Sequence, residues 1–168
     1  MKKLIAVAVV AMMILGTSVS ANEWNKIRIG VEGAYPPFSE VAPDGTLKGF
    51  DIDIARALCE EIGAECVLVP QDWDGIIPAL LARKYDAIIA SMSITPERKK
   101  KVAFSDKYYN SPAKFARKKG SGITISKAGL KGKTVGVQRA TTHDSFITAE
   151  FGESVEIKRY GTQDEAYL

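Results

Sequence analysis

Ala87-Ile88-Ile89-Ala90-Ser91-Met92-Ser93-Ile94-Thr95-Pro96-Glu97-Arg98 is the stretch from which the rest of the chain is read. It opens as an apolar run with the length of a buried strand. It then turns hydroxyl-rich, and Thr95-Pro96 reads as an N-cap followed by proline at the first helical position. A strand therefore ends, a short turn follows and a helix begins. The amides of such a turn and helix start suit an anion. Arg98 falls in the first helical turn, where its forked guanidinium can serve the same anion. Ser91 and Ser93 can each donate or accept. By itself the stretch describes a site for a small carboxylate rather than a catalytic centre.

On its N-terminal side further strands and helices can be read. Lys26 to Val31 places Ile27, Ile29 and Val31 on one side, as a strand does, and the prolines of Gly33-Ala34-Tyr35-Pro36-Pro37-Phe38 stop it. Asp44-Gly45 marks a turn. Asp51 to Ile62 reads as a helix with Ile54, Ala55, Leu58 and Ile62 on its apolar face and Gly63 just past its end. Cys66 to Val69 is a second strand, Asp74 to about Lys84 a second helix with Pro78 near its first turn, and Asp86 to Ala90 the third strand. This is β-α-β-α-β with short connections, the signature of a parallel sheet covered by helices.

On the C-terminal side a second unit begins. Ala113 to Arg117 reads as a strand leading into the glycine-rich joint Lys118-Lys119-Gly120-Ser121-Gly122. Val135-Gly136-Val137 repeats the Ile29-Gly30-Val31 strand ending. Thr142 to Phe151 is a helix closed by Gly152, Ser154 to Tyr160 an alternating strand, and a further helix starts at Asp164. The domains expected are residues 22–112, a joint at 113–122, and a second unit at 123–168 that is incomplete.

Met1-Lys2-Lys3, the twelve apolar residues Leu4 to Leu15 and the small-residue motif Val19-Ser20-Ala21 form an export signal at residues 1–21, cleaved after Ala21. The apolar run is too short to span a bilayer. Cleavage leaves 147 residues and lowers the formal charge from +3 to +1, which argues against a general nucleic-acid or membrane-surface partner. Lys99-Lys100-Lys101 and Lys118-Lys119 read as solvated faces. The two cysteines, Cys59 and Cys66, have only His143 as a distant nitrogen ligand, so no metal centre is expected. In an exported chain a disulfide is the expectation, and two free buried thiols are the alternative.

Ligands of open parallel sheets lie beyond the carboxyl ends of the strands. Strand one is followed by Glu32 and Tyr35, strand two by Trp73, and strand three by Ser91 and Ser93 with Arg98 behind. The first strand of the second unit is followed by Arg139, Thr141, Thr142 and His143. An acid, two aromatics, hydroxyls and an arginine thus gather on one rim, as a bound zwitterion needs. Each has a plainer alternative: core aromatics for Tyr35 and Trp73, a solvated acid for Glu32, a surface cation for Arg98, a helix cap for Thr141 and Thr142, and surface for His143.

The motifs Gly49-Phe50-Asp51-Ile52-Asp53, Trp73-Asp74-Gly75-Ile76-Ile77-Pro78-Ala79-Leu80, Ser93-Ile94-Thr95-Pro96-Glu97-Arg98, Phe104-Ser105-Asp106 and Tyr108-Tyr109 resemble, in order, those of the polar amino-acid periplasmic binding proteins of ABC importers. The resemblance runs over residues 24–168 and is nearest the lysine/arginine/ornithine, histidine and opine-binding branch. It implies the two-lobed type II periplasmic binding protein fold, α/β with helices on both faces of open parallel sheets. It implies a periplasmic monomer that needs no cofactor, holds an amino acid between its lobes and hands it to a membrane permease. It also implies a Cys59–Cys66 disulfide. Arg98 and the Ser93 and Thr142 amides would grip the α-carboxylate. Ser91 and Ser93 would help hold the α-ammonium, Tyr35 and Trp73 would sandwich the side chain, and Glu32 would meet its cationic end. Ala90, Ala140 and His143 depart from the family's usual serine, glycine and glutamine. The family's acid for the α-ammonium lies on a strand beyond Leu168. An enzyme on the same scaffold, dehydratase-like, and a receptor's sensing domain are the other function classes. No Ser/His/Asp set is evident for catalysis.

Overall fold

The computed structural model describes residues 24–168, so the export signal expected at 1–21 lies outside the described residues. The first unit is built on strand β1 (Lys26–Val31), which pairs in parallel with β5 (Glu65–Pro70) on one side and β6 (Ala87–Ile88) on the other. Between β1 and β5 a small antiparallel sheet is inserted: β2 (Ala34–Tyr35), β3 (Ser39–Val41) and β4 (Leu47–Lys48). Helix α1 (Phe50–Ile62) follows it. A 3-10 turn (Trp73–Gly75) and α2 (Ile76–Leu81) connect β5 to β6, and α3 (Pro96–Lys99) follows β6. The second unit holds α4 (Lys127–Leu130), the parallel pair β7 (Thr134–Gln138) and β8 (Glu156–Tyr160), α5 (Thr142–Phe151) between them, and α6 (Gln163–Tyr167). The parallel α/β architecture read from the alternation is therefore present.

β1 is covered on both faces. Ile29 and Val31 pack with Ile52, Ala55 and Cys59 of α1. On the other face Ile76 and Ala79 of α2 pack with Tyr85 and Ala90. Each such aliphatic side chain contributes about 1.5–3 kcal/mol when fully buried. A separate core of Leu130, Val137, Ile147, Phe151 and Val155 holds the second unit.

Gly30 lies where β1 meets Tyr85. A Cβ there would stand 2.5 Å from two ring carbons of Tyr85. The ring is fully buried and its hydroxyl donates to the Ile76 carbonyl, so it has nowhere to retreat. Gly30→Ala is expected to destabilise the fold by about 1–3 kcal/mol, the usual result of overpacking. Urea denaturation checks this; a midpoint equal to the wild type would show that the ring can yield.

Several expectations are corrected. The buried face of α1 is Asp51, Ile52, Ala55 and Cys59; Leu58 and Ile62 are 49% and 58% exposed. Positions 52/55/59 and 54/58/62 are neighbouring stripes, both at helical spacing, and the first, with Asp51 beside it, is the buried one. The helix expected from Asp74 to about Lys84 begins as the 3-10 turn, with Asp74 paired to Arg139 rather than capping, and is α-helical only to Leu81, two residues before Arg83 enters the left-handed region at φ 58°. The third strand is paired only at Ala87 and Ile88. Residues 113–117 are exposed and form no strand among the described residues. The last helix starts at Gln163, where Thr162 and Glu165 form a capping box.

Cys59 and Cys66 are free thiols, not the expected disulfide. They are neighbours: burial first, then a hydrogen bond with Cys59, push the Cys66 thiol up to about 12. Gly63 does close α1, in the left-handed region at φ 75°.

Candidate functional site

The ends of β1, β5, β6 and β7 face one another, and a network of side-chain hydrogen bonds joins them. Glu32, one residue past β1, is 8% exposed. Its carboxylate accepts from the Gln138 side-chain amide at the end of β7, and that amide also donates to the Gly161 carbonyl at 3.1 Å. Burial raises the Glu32 carboxyl above its ordinary value, and the Gln138 hydrogen bond opposes this only in part. An open cavity of about 390 Å³ lies beside it, lined by Glu32, Gly33, Ala34, Pro70, Gln71 and Asp72.

Arg98 stands at the other end. Its guanidinium donates to the Ser93 carbonyl at 2.8 Å and the Ala140 carbonyl at 3.3 Å. It lies 5.2 Å from the centroid of the Trp73 ring, within cation–π range. The Trp73 indole N–H donates to the same Ala140 carbonyl at 3.0 Å. Arg139 closes the set with an ion pair to Asp74 at 2.6 Å. A carboxylate and a guanidinium thus reach the same segment, 138–140, from two different strand ends.

The local sequence explains these positions. Thr95 caps α3 by accepting from the Arg98 amide at 3.2 Å, and Pro96 opens the helix, as the Thr-Pro pair leads one to expect. With only four residues, α3 has little dipole to offer an anion; the cationic character here is that of the Arg98 side chain. Ser91 sits in the left-handed region at φ 51°. Its hydroxyl donates to Asp51 at 2.7 Å. Thr141 caps α5, accepting from the Asp144 amide at 3.1 Å.

Of the residues singled out in the sequence, Glu32, Trp73, Arg98 and Thr141 take part in this junction or its supporting cap. Tyr35 is half-buried and stacks on Phe38 at 5.3 Å between centroids. Burial raises its phenol above the ordinary value. Thr142 is half-buried at the start of α5. Ser93 contributes its carbonyl rather than its hydroxyl to Arg98. Ala90 is buried in the core behind the site, and His143 is exposed. Sequence reasoning missed Gln138, although Gln138 follows Val137 as Glu32 follows Val31, and that repeat of the strand ending was the signal for it. It also missed Asp51, hidden within a helix motif.

A family model described as bacterial extracellular solute-binding proteins, family 3, matches residues 27–165. The L-arginine-binding protein of Pseudomonas aeruginosa is 50% identical over 169 aligned positions that cover 100% of this chain. The histidine-binding periplasmic protein of Salmonella typhimurium is 40% identical, covering 99% of this chain. The chain spans 65% of the length of each of these two relatives. Among solved structures, an ancestral arginine-binding protein bound to arginine superposes with a TM-score of 0.78 at 39% identity, over 86% of this chain and 65% of its own.

Proposed function

This chain belongs to the bacterial extracellular solute-binding proteins of family 3, and from that premise we propose that it captures a cationic L-amino acid (arginine, lysine, ornithine, histidine or an opine built on one) for an ABC importer. The observation that carries the reading is the convergence of the Glu32 carboxylate and the Arg98 guanidinium on segment 138–140. Two opposite charges brought to one segment, with the Trp73 ring beside the guanidinium, suit a molecule with a carboxylate at one end and a cation at the other. The relatives named for arginine and histidine support the same ligand class.

In this reading residues 22–112 form one lobe, 113–122 the joint and 123–168 part of the second lobe. The solute is bound in the periplasm without turnover and passed to a membrane permease. Arg98 and the Ser93 and Thr142 amides take the α-carboxylate, Ser91 and Ser93 the α-ammonium, Tyr35 and Trp73 the side chain, and Glu32 its distal charge. Calorimetric titration of the full-length protein with L-arginine, L-lysine, L-histidine and L-glutamate tests it. Binding of at least one cationic amino acid, tighter than glutamate, is the expected result; absence of binding to all three cationic ligands would remove the reading.

A further inference from the structure

Asp51 is 1% exposed, yet it is a carboxylate in the first turn of an otherwise apolar helix face. Burial of this kind is costly unless each oxygen is hydrogen-bonded. Both are. Oδ2 accepts from the Ser91 hydroxyl at 2.7 Å and Oδ1 from the Tyr108 hydroxyl at 2.7 Å. The Tyr108 oxygen in turn accepts from the Ser91 amide at 3.1 Å. Burial and the Asp51 carboxylate push the Tyr108 phenol well up, so its proton stays on and points at Asp51.

The ring of contacts fixes a direction. A serine hydroxyl has one proton and two lone pairs. With the Ser91 proton committed to Asp51, only lone pairs remain for whatever meets Ser91 on its open side. Those lone pairs can accept from a donor and can offer nothing to an acceptor.

We propose that Asp51 is a positioning residue for ligand selection: by holding the Ser91 proton it makes Ser91 a pure acceptor, matched to the α-ammonium of a solute and mismatched to a carboxylate or carbonyl. Asp51 touches no solute and acts only through Ser91. This inference rests on the amino-acid-binding reading above.

The test uses the full-length protein with L-arginine and with 5-guanidinopentanoate, the same molecule without its α-ammonium. Tyr108→Phe leaves the Ser91 proton on Asp51, and the ratio of the two dissociation constants is expected to stay within about threefold. Adding Asp51→Leu frees that proton without stranding a second hydroxyl. Arginine is then expected to bind about tenfold or more weakly, the size of one hydrogen bond to a charged group, while the analogue moves by less than about threefold. Parallel weakening of both ligands, as a merely structural role would produce, or an unchanged ratio overturns the inference. If the double variant does not fold, the wild-type protein decides. A Ser91 hydroxyl held by a buried carboxylate is expected to give a slowly exchanging proton resonance, and exchange at the bulk rate overturns the inference. Wild-type protein that binds neither ligand overturns the amino-acid reading before any substitution is made, so the two failures are told apart.

Discussion

Arg98→Ala is expected to weaken every amino-acid ligand by about 3–5 kcal/mol, the cost of leaving one member of a desolvated ion pair alone, or roughly two to four orders of magnitude in dissociation constant. The guanidinium is already organised for the task. The Ser93 and Ala140 carbonyls and the Trp73 ring fix its plane, and burial disfavours its charge in the absence of a partner. A carboxylate that arrives there meets a fork held in place. Arg98→Lys should recover only part of the loss, because an ammonium cannot make the paired contact. Calorimetry on the full-length variants reads both effects. Unchanged affinity in Arg98→Ala would show that the carboxylate is held elsewhere.

Glu32→Gln is expected to act selectively. Arginine and lysine should lose about 3–5 kcal/mol, whereas a neutral ligand such as glutamine should change by less than about threefold. The reason is burial: Glu32 is only 8% exposed, with Gln138 as its hydrogen-bond donor, so a lost charge pair there is poorly replaced by water. Because burial raises its carboxyl, the negative charge is lost as pH falls through that raised value. Cation affinity should therefore decline in a pH window above that of an exposed glutamate, and Glu32→Gln should abolish the decline. Arginine and lysine affinities that survive the substitution would exclude Glu32 as the cation's partner.

The parts of the molecule set by repeating pattern were legible in the chain. The alternation of Lys26–Val31, the cap at Thr95-Pro96 and the stop at Gly63 each state their own conformation locally, and the structure agrees. The parts set by partners were not. The apolar spacing of α1 fits two adjacent stripes, and the one that turns inward is the one beside the buried Asp51, which is tied to Ser91 and Tyr108. The rule that ligands gather past strand ends found Glu32, Trp73 and Arg98. It passed over Gln138, which stands after Val137 as Glu32 stands after Val31, because a sequence does not show that this uncharged amide faces a buried carboxylate. It gave Ser91 and Ser93 free hydroxyls, because a sequence does not show that a carboxylate forty residues away has already taken one of them.

The hydrogen bonds running from Gln138 and Ala140 to Glu32, Trp73 and Arg98 have a consequence for discrimination. The site's polar groups are not bare: Gln138 donates to Glu32, and Arg98 donates to the Ser93 and Ala140 carbonyls. In the proposed role solute entry is an exchange reaction, in which an amide leaves Glu32 and a carbonyl leaves Arg98, and only the difference in free energy favours capture. A neutral solute offers Glu32 little beyond what Gln138 already gives. A full cation offers a charge that the amide lacks, and a carboxylate offers Arg98 a charge that the Ala140 carbonyl lacks. In the proposed role, the threshold against uncharged solutes is set by the resident competitors as much as by the groups that hold the winner.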